Sequence, residues 1–334
     1  MKIGILGAGG WGTALSILLS SNGHKVTLWE FQPNVAHVLA TKRVNEPLLP
    51  GVRIPDEVEI TSELEQVVEN AEIIVIAVPS HVVRSLTERM RSFSLQDKLV
   101  VSVAKGLENE TLKRLSEVIL ENLPQLNSAQ IVILSGPSHA EEVSRGVPTT
   151  VVAASESLES AKKIQRIFTT STFRVYTNID VIGVELGGSL KNIIAIAAGI
   201  SDGVGYGDNT KAALMTRGLV EITRLGVAMG ANPMTFAGLS GMGDLIVTCM
   251  SRYSRNRYVG EQIGRGRKLS EVLSEMVMVA EGVRTTKSAV ALAEKYHVEM
   301  PITQQVYEVL FGNKDPQVAM SELMSRDLKV EKWG

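Results

Sequence analysis

The chain has 334 residues, is 44% hydrophobic and carries a formal charge of −2. That length supports a substantial core and two domains, and the near-neutral charge argues against nucleic acid or an anionic membrane as the main partner. Cys249 is the only cysteine, so an intramolecular disulfide is excluded. The N-terminus enters a strand at once, leaving no room for a signal peptide. The apolar run Ile193 to Ile200 is too short to span a bilayer by length alone. A cytoplasmic globular protein with no integral membrane association is the expectation.

Lys2 to Leu6 reads as a strand and ends in GAGGWG, with Gly7, Gly9 and Gly12 at GxGxxG spacing. A helix pattern follows over Thr13 to Ser20, then a turn at Asn22-Gly23, then a second strand, Lys25 to Trp29, with Glu30 at its end. In that context the glycine pattern predicts a dinucleotide site. Gly7 allows the tight turn, Gly9 lets the backbone approach a pyrophosphate, and Gly12 lets the helix pack on the strand. The helix N-terminus offers unpaired N–H groups and partial positive charge to the phosphates.

Strands then read at Ile73–Val78, Leu99–Val103, Ile131–Leu134, Thr150–Ala153 and Phe173–Tyr176. Helices read at Val35–Ala40, Val82–Met90, Leu112–Leu120 and Leu158–Ile167. This alternation predicts an α/β fold with an N-terminal Rossmann-like, doubly wound, mostly parallel sheet. Ligands in such sheets bind beyond the carboxyl ends of the strands. Those ends carry Gly9, Gly10 and Trp11; Pro79, Ser80 and His81; Lys105 and Gly106; and Gly136, Pro137 and Ser138. Lys105 is read as an anion or carbonyl contact, and Ser138 with the Gly136 backbone as hydrogen-bonding groups at the same rim. His81 and His139 are assigned no chemistry, because a lone histidine is more often a satisfied structural residue. The stretch Asn45 to Gly51 reads as a turn-rich loop without a chemical role.

Beyond Gly199 the strand pattern stops, and helices read at Thr210–Met229, Ser270–Met278, Gly282–Tyr296, Ile302–Phe311 and Pro316–Met324. The predicted organisation is a dinucleotide-binding domain over 1–179 and an all-α substrate and catalytic domain over 180–334. At the junction lies DVIGVELGGSLKNIIAIAAG, an apolar helix with Lys191 at its centre and Gly187-Gly188 one turn before it. The glycines there admit two readings: a helix that packs tightly through them with Lys191 snorkelling to the surface, or a bare groove for a flat ligand with the Lys191 ammonium beside it. Ser201 to Asn209 and Leu239 to Arg257 read as loops. The latter holds Asp244 and the consecutive Ser254, Arg255 and Asn256, whose hydroxyl, guanidinium and amide suit a phosphate. No cluster has metal-ligand spacing.

Reduction of a ketone by a hydride carrier needs a group that gives a proton to the developing alkoxide. Lys191 suits that task, because partial burial and a second lysine such as Lys105 lower an ammonium's pKa from its ordinary value of about 10.4. Asp244 is read as holding a substrate hydroxyl or orienting Lys191.

The segments GAGGWGTAL, VPSHVVR, AKG, GPSHA, LKNIIAIAAGISDG, GMGDL and SRNRYVG, in this order, resemble the NAD(P)-dependent glycerol-3-phosphate dehydrogenase family of bacteria over nearly the whole chain. The resemblance implies interconversion of dihydroxyacetone phosphate and sn-glycerol 3-phosphate with NAD(H) or NADP(H), feeding glycerophospholipid synthesis. It puts the general acid/base lysine at Lys191. It puts substrate contacts at Lys105, Gly136, Ser138, Asp244, Ser254, Arg255 and Asn256. Cofactor contacts fall on Gly10, Trp11, Phe31, Lys105, Ala140, Arg255, Val279 and Glu281. A homodimer is allowed, though nothing in the sequence specifies it. A ketopantoate-type reductase shares the two-domain plan but gives no reason for the Ser-Arg-Asn cluster.

The sequence departs from the family after the second strand, where many members carry a basic residue for the 2′-phosphate of NADPH. Here the run is Glu30-Phe31-Gln32. An acid at that position can bond the adenosine ribose 2′-hydroxyl, so use of NADH at least comparable to NADPH is expected. The next basic residues, Lys42 and Arg43, would have to swing back from the following helix.

Overall fold

The computed structural model describes residues 1–328, 330 and 331. The chain divides into two compact units, one of residues 1–105 and 115–181, the other of 106–114 and 182 onward.

The first unit is built on an eight-stranded sheet. Its strands are β1 (Lys2–Leu6), β2 (Lys25–Trp29), β5 (Glu59–Thr61), β6 (Ile73–Ile76), β7 (Leu99–Ser102), β8 (Ile131–Ser135), β9 (Thr149–Ala154) and β10 (Phe173–Asn178). The order across the sheet is β5-β2-β1-β6-β7-β8-β9-β10. All pairings are parallel except β8 with β9. Strands covered on both faces carry unbroken apolar runs rather than alternation. The runs IIVI of β6 and IVILS of β8 are buried at every position. Helices α1 (Gly10–Ser21), α2 (Pro33–Lys42), α3 (Leu64–Asn70), α4 (Val83–Arg89), α5 (Leu115–Asn122), α6 (Ala140–Val143) and α7 (Leu158–Phe168) connect the strands.

Two features of this unit differ from the sequence reading. The predicted helix over Leu112–Leu120 begins only at Leu115, because Leu112 adopts a left-handed φ of 61° that no α-helix continues through. The supposed loop Asn45–Gly51 belongs to an antiparallel hairpin, β3 (Val44–Asn45) and β4 (Leu49–Arg53). It starts where Arg43, also left-handed at φ 56°, ends α2.

In the second unit α8 (Val181–Val204) is the central element, buried from Gly183 through Ser201. Around it lie α9 (Asp208–Ala228), α10 (Pro233–Phe236), a π turn (Leu239–Gly243), α11 (Asp244–Met250), α12 (Arg255–Gly264), α13 (Leu269–Glu275), α14 (Glu281–Tyr296), α15 (Pro301–Phe311) and α16 (Pro316–Met324). The backbones of α8 and α12 meet: a Cβ at Gly199 would lie 2.0 Å from the Arg257 carbonyl oxygen, and one at Gly260 2.1 Å from that of Ile196. Side chains at these positions would force the helices apart. Helix α8 corrects the length argument above. It is long and apolar enough to cross a membrane, yet 94% of its most apolar stretch is buried inside the protein.

Residues 106–114 serve the helical unit. Gly106 accepts a hydrogen bond from Ser189 Oγ at 3.1 Å, Asn109 Oδ1 accepts one from Ser288 at 2.9 Å, and Arg114 pairs with Glu185 at 2.7 Å. The stretch from Leu239 to Arg257, read from sequence as a loop, is helical over most of its length. Its glycines mark close packing instead of chain breaks: a Cβ at Gly241 would lie 2.1 Å from the Phe236 carbonyl oxygen.

Candidate active site

The glycine loop is formed in the first unit as the sequence spacing requires. Gly7 sits at φ 115°, and a Cβ at Gly12 would lie 1.9 Å from the Gly7 carbonyl oxygen. Around Gly9, by contrast, an added Cβ would meet nothing within 4 Å. Helix α1 begins at Gly10 with no side-chain cap and no acid in its first turn. The first intrahelical bond runs from Thr13 N–H to Gly9 O at 2.9 Å, so the N–H groups of Gly10, Trp11 and Gly12 precede the helical ladder. An open cradle of backbone donors at a positive helix end fits the pyrophosphate of a dinucleotide.

The hairpin that sequence reasoning left without a role holds this loop in place. Buried Asn45 donates from Nδ2 to the Ala8 carbonyl oxygen at 2.8 Å and to Thr13 Oγ1 at 2.9 Å. The Leu48 carbonyl oxygen lies 2.6 Å from where a Gly10 Cβ would stand. Trp11 packs partly buried against Leu49 and Val52. At the end of β2, Phe31 is 64% exposed, and Glu30 accepts the Gln32 N–H on Oε1 at 3.1 Å.

Beyond β7 and β8 three predicted residues meet. Lys105 Nζ and Ser138 Oγ each donate to the Gly136 carbonyl oxygen at 3.0 Å, with Gly136 at φ 137°. Ala140 opens α6, near Gly10, and His139 precedes it without capping it through its side chain. His81 lies exposed in a short turn before α4.

In the helical unit the central cluster is Lys191, 5% exposed, and Asp244, 1% exposed. Lys191 Nζ donates to Asp244 Oδ1 at 2.5 Å and contacts Thr248 Oγ1 at 2.5 Å. The Thr248 hydroxyl donates to the Asp244 carbonyl oxygen at 2.6 Å. Lys191 is thus buried with a carboxylate as its nearest charged partner. The sequence signalled two of the three residues. Thr248 has no signal when 244–250 is read as a loop; on helix α11 its spacing of four from Asp244 places both on one face.

Of the two readings of the glycines before Lys191, the packing one holds at Gly187: a Cβ there would lie 2.7 Å from the Ser240 carbonyl oxygen, so this position receives the protein's own π turn.

Next along α8, Asn192 Oδ1 accepts from Asn256 Nδ2 at 2.9 Å, and Asn256 Oδ1 accepts the Gly282 N–H at 2.9 Å. This bridge links the first turns of α12 and α14, so it joins Ser254, Arg255 and Asn256 to Val279 and Glu281, which stand at the start of α14. Ser254 caps α12 by accepting the Arg257 N–H at 3.2 Å, which leaves its hydroxyl hydrogen to donate. Arg255 is exposed at the first helical position. Arg257, by contrast, is structural, pairing with Asp202 at 2.8 Å and Glu261 at 3.1 Å. Among the described residues no group of three His, Cys, Asp or Glu side chains could hold a metal.

A glycine-loop α/β unit together with a helical unit that buries a lysine–carboxylate pair defines a two-unit, dinucleotide-dependent oxidoreductase. Comparison with known proteins narrows the class. Residues 2–161 match the N-terminal family model of NAD-dependent glycerol-3-phosphate dehydrogenase, and residues 180–321 match its C-terminal one. The chain is 57% identical over 331 residues to "Glycerol-3-phosphate dehydrogenase [NAD(P)+]" of Chlorobium phaeobacteroides strain BS1, covering 99% of both chains. It is 54% identical to the protein of the same name from Thermoanaerobacter sp. strain X514, over 100% of each. A crystal structure of glycerol-3-phosphate dehydrogenase from Coxiella burnetii superposes with TM-score 0.93 at 39% identity, covering 97% of this chain and 99% of that one. A ketopantoate reductase from Ralstonia eutropha JMP134 shares only the fold, with TM-score 0.59 at 16% identity. The chain belongs to the NAD-dependent glycerol-3-phosphate dehydrogenase family.

Proposed function

We infer that the chain interconverts dihydroxyacetone phosphate and sn-glycerol 3-phosphate with NAD(H) or NADP(H), a step that supplies glycerophospholipid synthesis. The observation that carries the chemistry is the buried Lys191–Asp244–Thr248 cluster. When bound, the nicotinamide supplies or accepts the hydride. Lys191 acts on the oxygen of the reacting carbon. Its ammonium donates a proton as negative charge develops there, and in the other direction the neutral amine takes that proton from the alcohol. Asp244 fixes the ammonium's position, and Thr248 limits its rotation.

The other site residues take roles by their chemistry. Ser254, Arg255 and the second amide N–H of Asn256 are donors for the substrate phosphate at the N-terminus of α12, where the helix also favours an anion. Lys105, Gly136 and Ser138 contribute a cation and hydrogen bonds to the substrate. Gly7, Gly9, Gly10, Trp11 and Gly12 hold the pyrophosphate, Glu30 and Phe31 the adenosine, and Ala140, Val279 and Glu281 further parts of the dinucleotide. A dinucleotide-binding domain over 1–179 and a catalytic domain over 180–334, a homodimeric assembly and a cytoplasmic location belong to the same reading.

The test follows the absorbance of NADH with dihydroxyacetone phosphate as substrate and ketopantoate as control. Oxidation with the first and none with the second is the expected result. The reverse order would move the chain to the ketopantoate-type reaction. Light scattering on eluted protein decides the assembly.

A further inference from the structure

The end of β2 is where a dinucleotide's adenosine ribose lies in this kind of sheet, and the charge there discriminates a 2′-hydroxyl from a 2′-phosphate. Reading forward from Glu30, the sequence offers no free guanidinium. The nearest, Arg43, is engaged elsewhere, its Nη1 donating to the Val58 carbonyl oxygen at 2.6 Å. A different element supplies the cation. The guanidinium of Arg89, the last residue of α4, lies 5.4 Å from the ring centroid of Trp29 and 5.4 Å from that of Phe31. These two rings flank Glu30 and stand edge to face, 6.2 Å apart. Buried Trp29 is itself fixed, donating from Nε1 to the Ser62 carbonyl oxygen at 2.9 Å.

Arg89 is exposed, and among the described residues it makes no ion pair and no hydrogen bond. Stacking on aromatic faces leaves the in-plane N–H donors of a guanidinium unused, and a planar fork of donors is the group that matches a phosphate. Glu30, the carboxylate that would repel such a phosphate, spends Oε1 on the N–H of its own turn.

We propose that Arg89 is the residue that recognises the 2′-phosphate of NADP(H), presented by Trp29 and Phe31 beside Glu30. Glu30 then serves the 2′-hydroxyl of NAD(H), so two groups from two elements let one site take both cofactors. The proposal rests on the reading that the glycine loop binds a dinucleotide.

Calorimetric titration of the ligand-free full chain separates the two. The ligands are 2′,5′-ADP and 5′-AMP, then NADPH and NADH, on wild type, Arg89→Ala and Arg89→Lys. Arg89→Ala is expected to weaken 2′,5′-ADP and NADPH by at least about tenfold, the loss of a charge-assisted contact. It should leave 5′-AMP and NADH within about twofold. Arg89→Lys, which keeps charge without the planar stack, should fall between. Equal weakening of all four ligands would show that Arg89 only stiffens the Phe31 platform, and unchanged binding would show that it meets no ligand. Either result overturns the proposal while the dinucleotide reading stands. Failure of the wild type to bind NADH or 5′-AMP would overturn both.

Discussion

Replacing Lys191 by methionine removes the proposed proton donor and leaves the Asp244 carboxylate, 1% exposed, without its cation. The two consequences have different sizes and can be separated. Loss of a positioned general acid costs about two to four orders of magnitude in turnover. Stranding a buried charge costs about 3–5 kcal/mol of stability, a large share of the ~5–15 kcal/mol that holds a typical domain folded. A slow Lys191→Met enzyme could therefore be slow because less of it is folded. The double variant Lys191→Met/Asp244→Asn resolves this, since replacing both charges of a buried pair is near neutral or stabilising. Urea unfolding should show most of the lost stability restored in the double variant. Turnover with NADH and dihydroxyacetone phosphate, measured on the same samples, should stay down by at least about a hundredfold, with cofactor binding intact. Recovery of turnover along with stability would refute Lys191 as the proton donor. A double variant as unstable as the single one would refute the coupling of the pair.

Arg255→Ala should raise the KM for dihydroxyacetone phosphate at least about tenfold, the size of one charge-assisted contact of ~1.5–3 kcal/mol; equal losses with unphosphorylated dihydroxyacetone would make the residue merely structural. Glu221 is buried and accepts three bonds at the start of α15, from the N–H groups of Ile302 and Thr303 and from the Thr303 hydroxyl. Burial outweighs these bonds and pushes its carboxyl up to about 7 from the ordinary 4.5. The folded state then holds this proton more tightly than the unfolded one, so the contribution is full below pH ~4.5, fades as pH rises to about 7, and totals ~3 kcal/mol. Glu221→Gln should remove that slope from stability measured against pH, and parallel profiles for the two proteins would refute it. Burial likewise pushes the Cys249 thiol up to about 12. The native protein should therefore leave a thiol-reactive chromogenic disulfide unreacted at pH 8 and consume one equivalent when unfolded; rapid native reaction would contradict that burial.

The parts of the fold legible in the sequence are those that one face's chemistry determines. β1 and β2 are legible to the residue because KIGIL and KVTLW are short apolar-rich runs bounded by the glycine loop and the Asn22-Gly23 turn, signals that VNEPLLPGVR lacks. The hairpin it forms is tied to the glycine loop through Asn45, whose partners, Ala8 and Thr13, lie more than thirty residues earlier. No local pattern encodes such a bond. The segment 106–114 escaped for the same reason, since its attachments to Glu185, Ser189 and Ser288 are individual polar contacts made over long sequence separations.

The glycines teach a more specific lesson about sites. A glycine inside a pattern signals that something approaches the backbone, but its sequence does not say whether the visitor is a ligand or another part of the chain. At Gly9 the space is open, and the neighbouring donors point to an anion. At Gly187, Gly199 and Gly241 the visitor is a carbonyl oxygen of the same protein. Both kinds serve one end, because the packing glycines fix the ladder on which Lys191 stands. Ser240 against Gly187 seats the π turn, the π turn leads directly into α11, and α11 carries Asp244 and Thr248 to the lysine. Arg257 against Gly199 seats the first turn of α12, which carries Ser254, Arg255 and Asn256. An alanine at Gly187 would therefore act on the Lys191–Asp244 contact through the backbone of the π turn, although position 187 supplies no chemistry of its own.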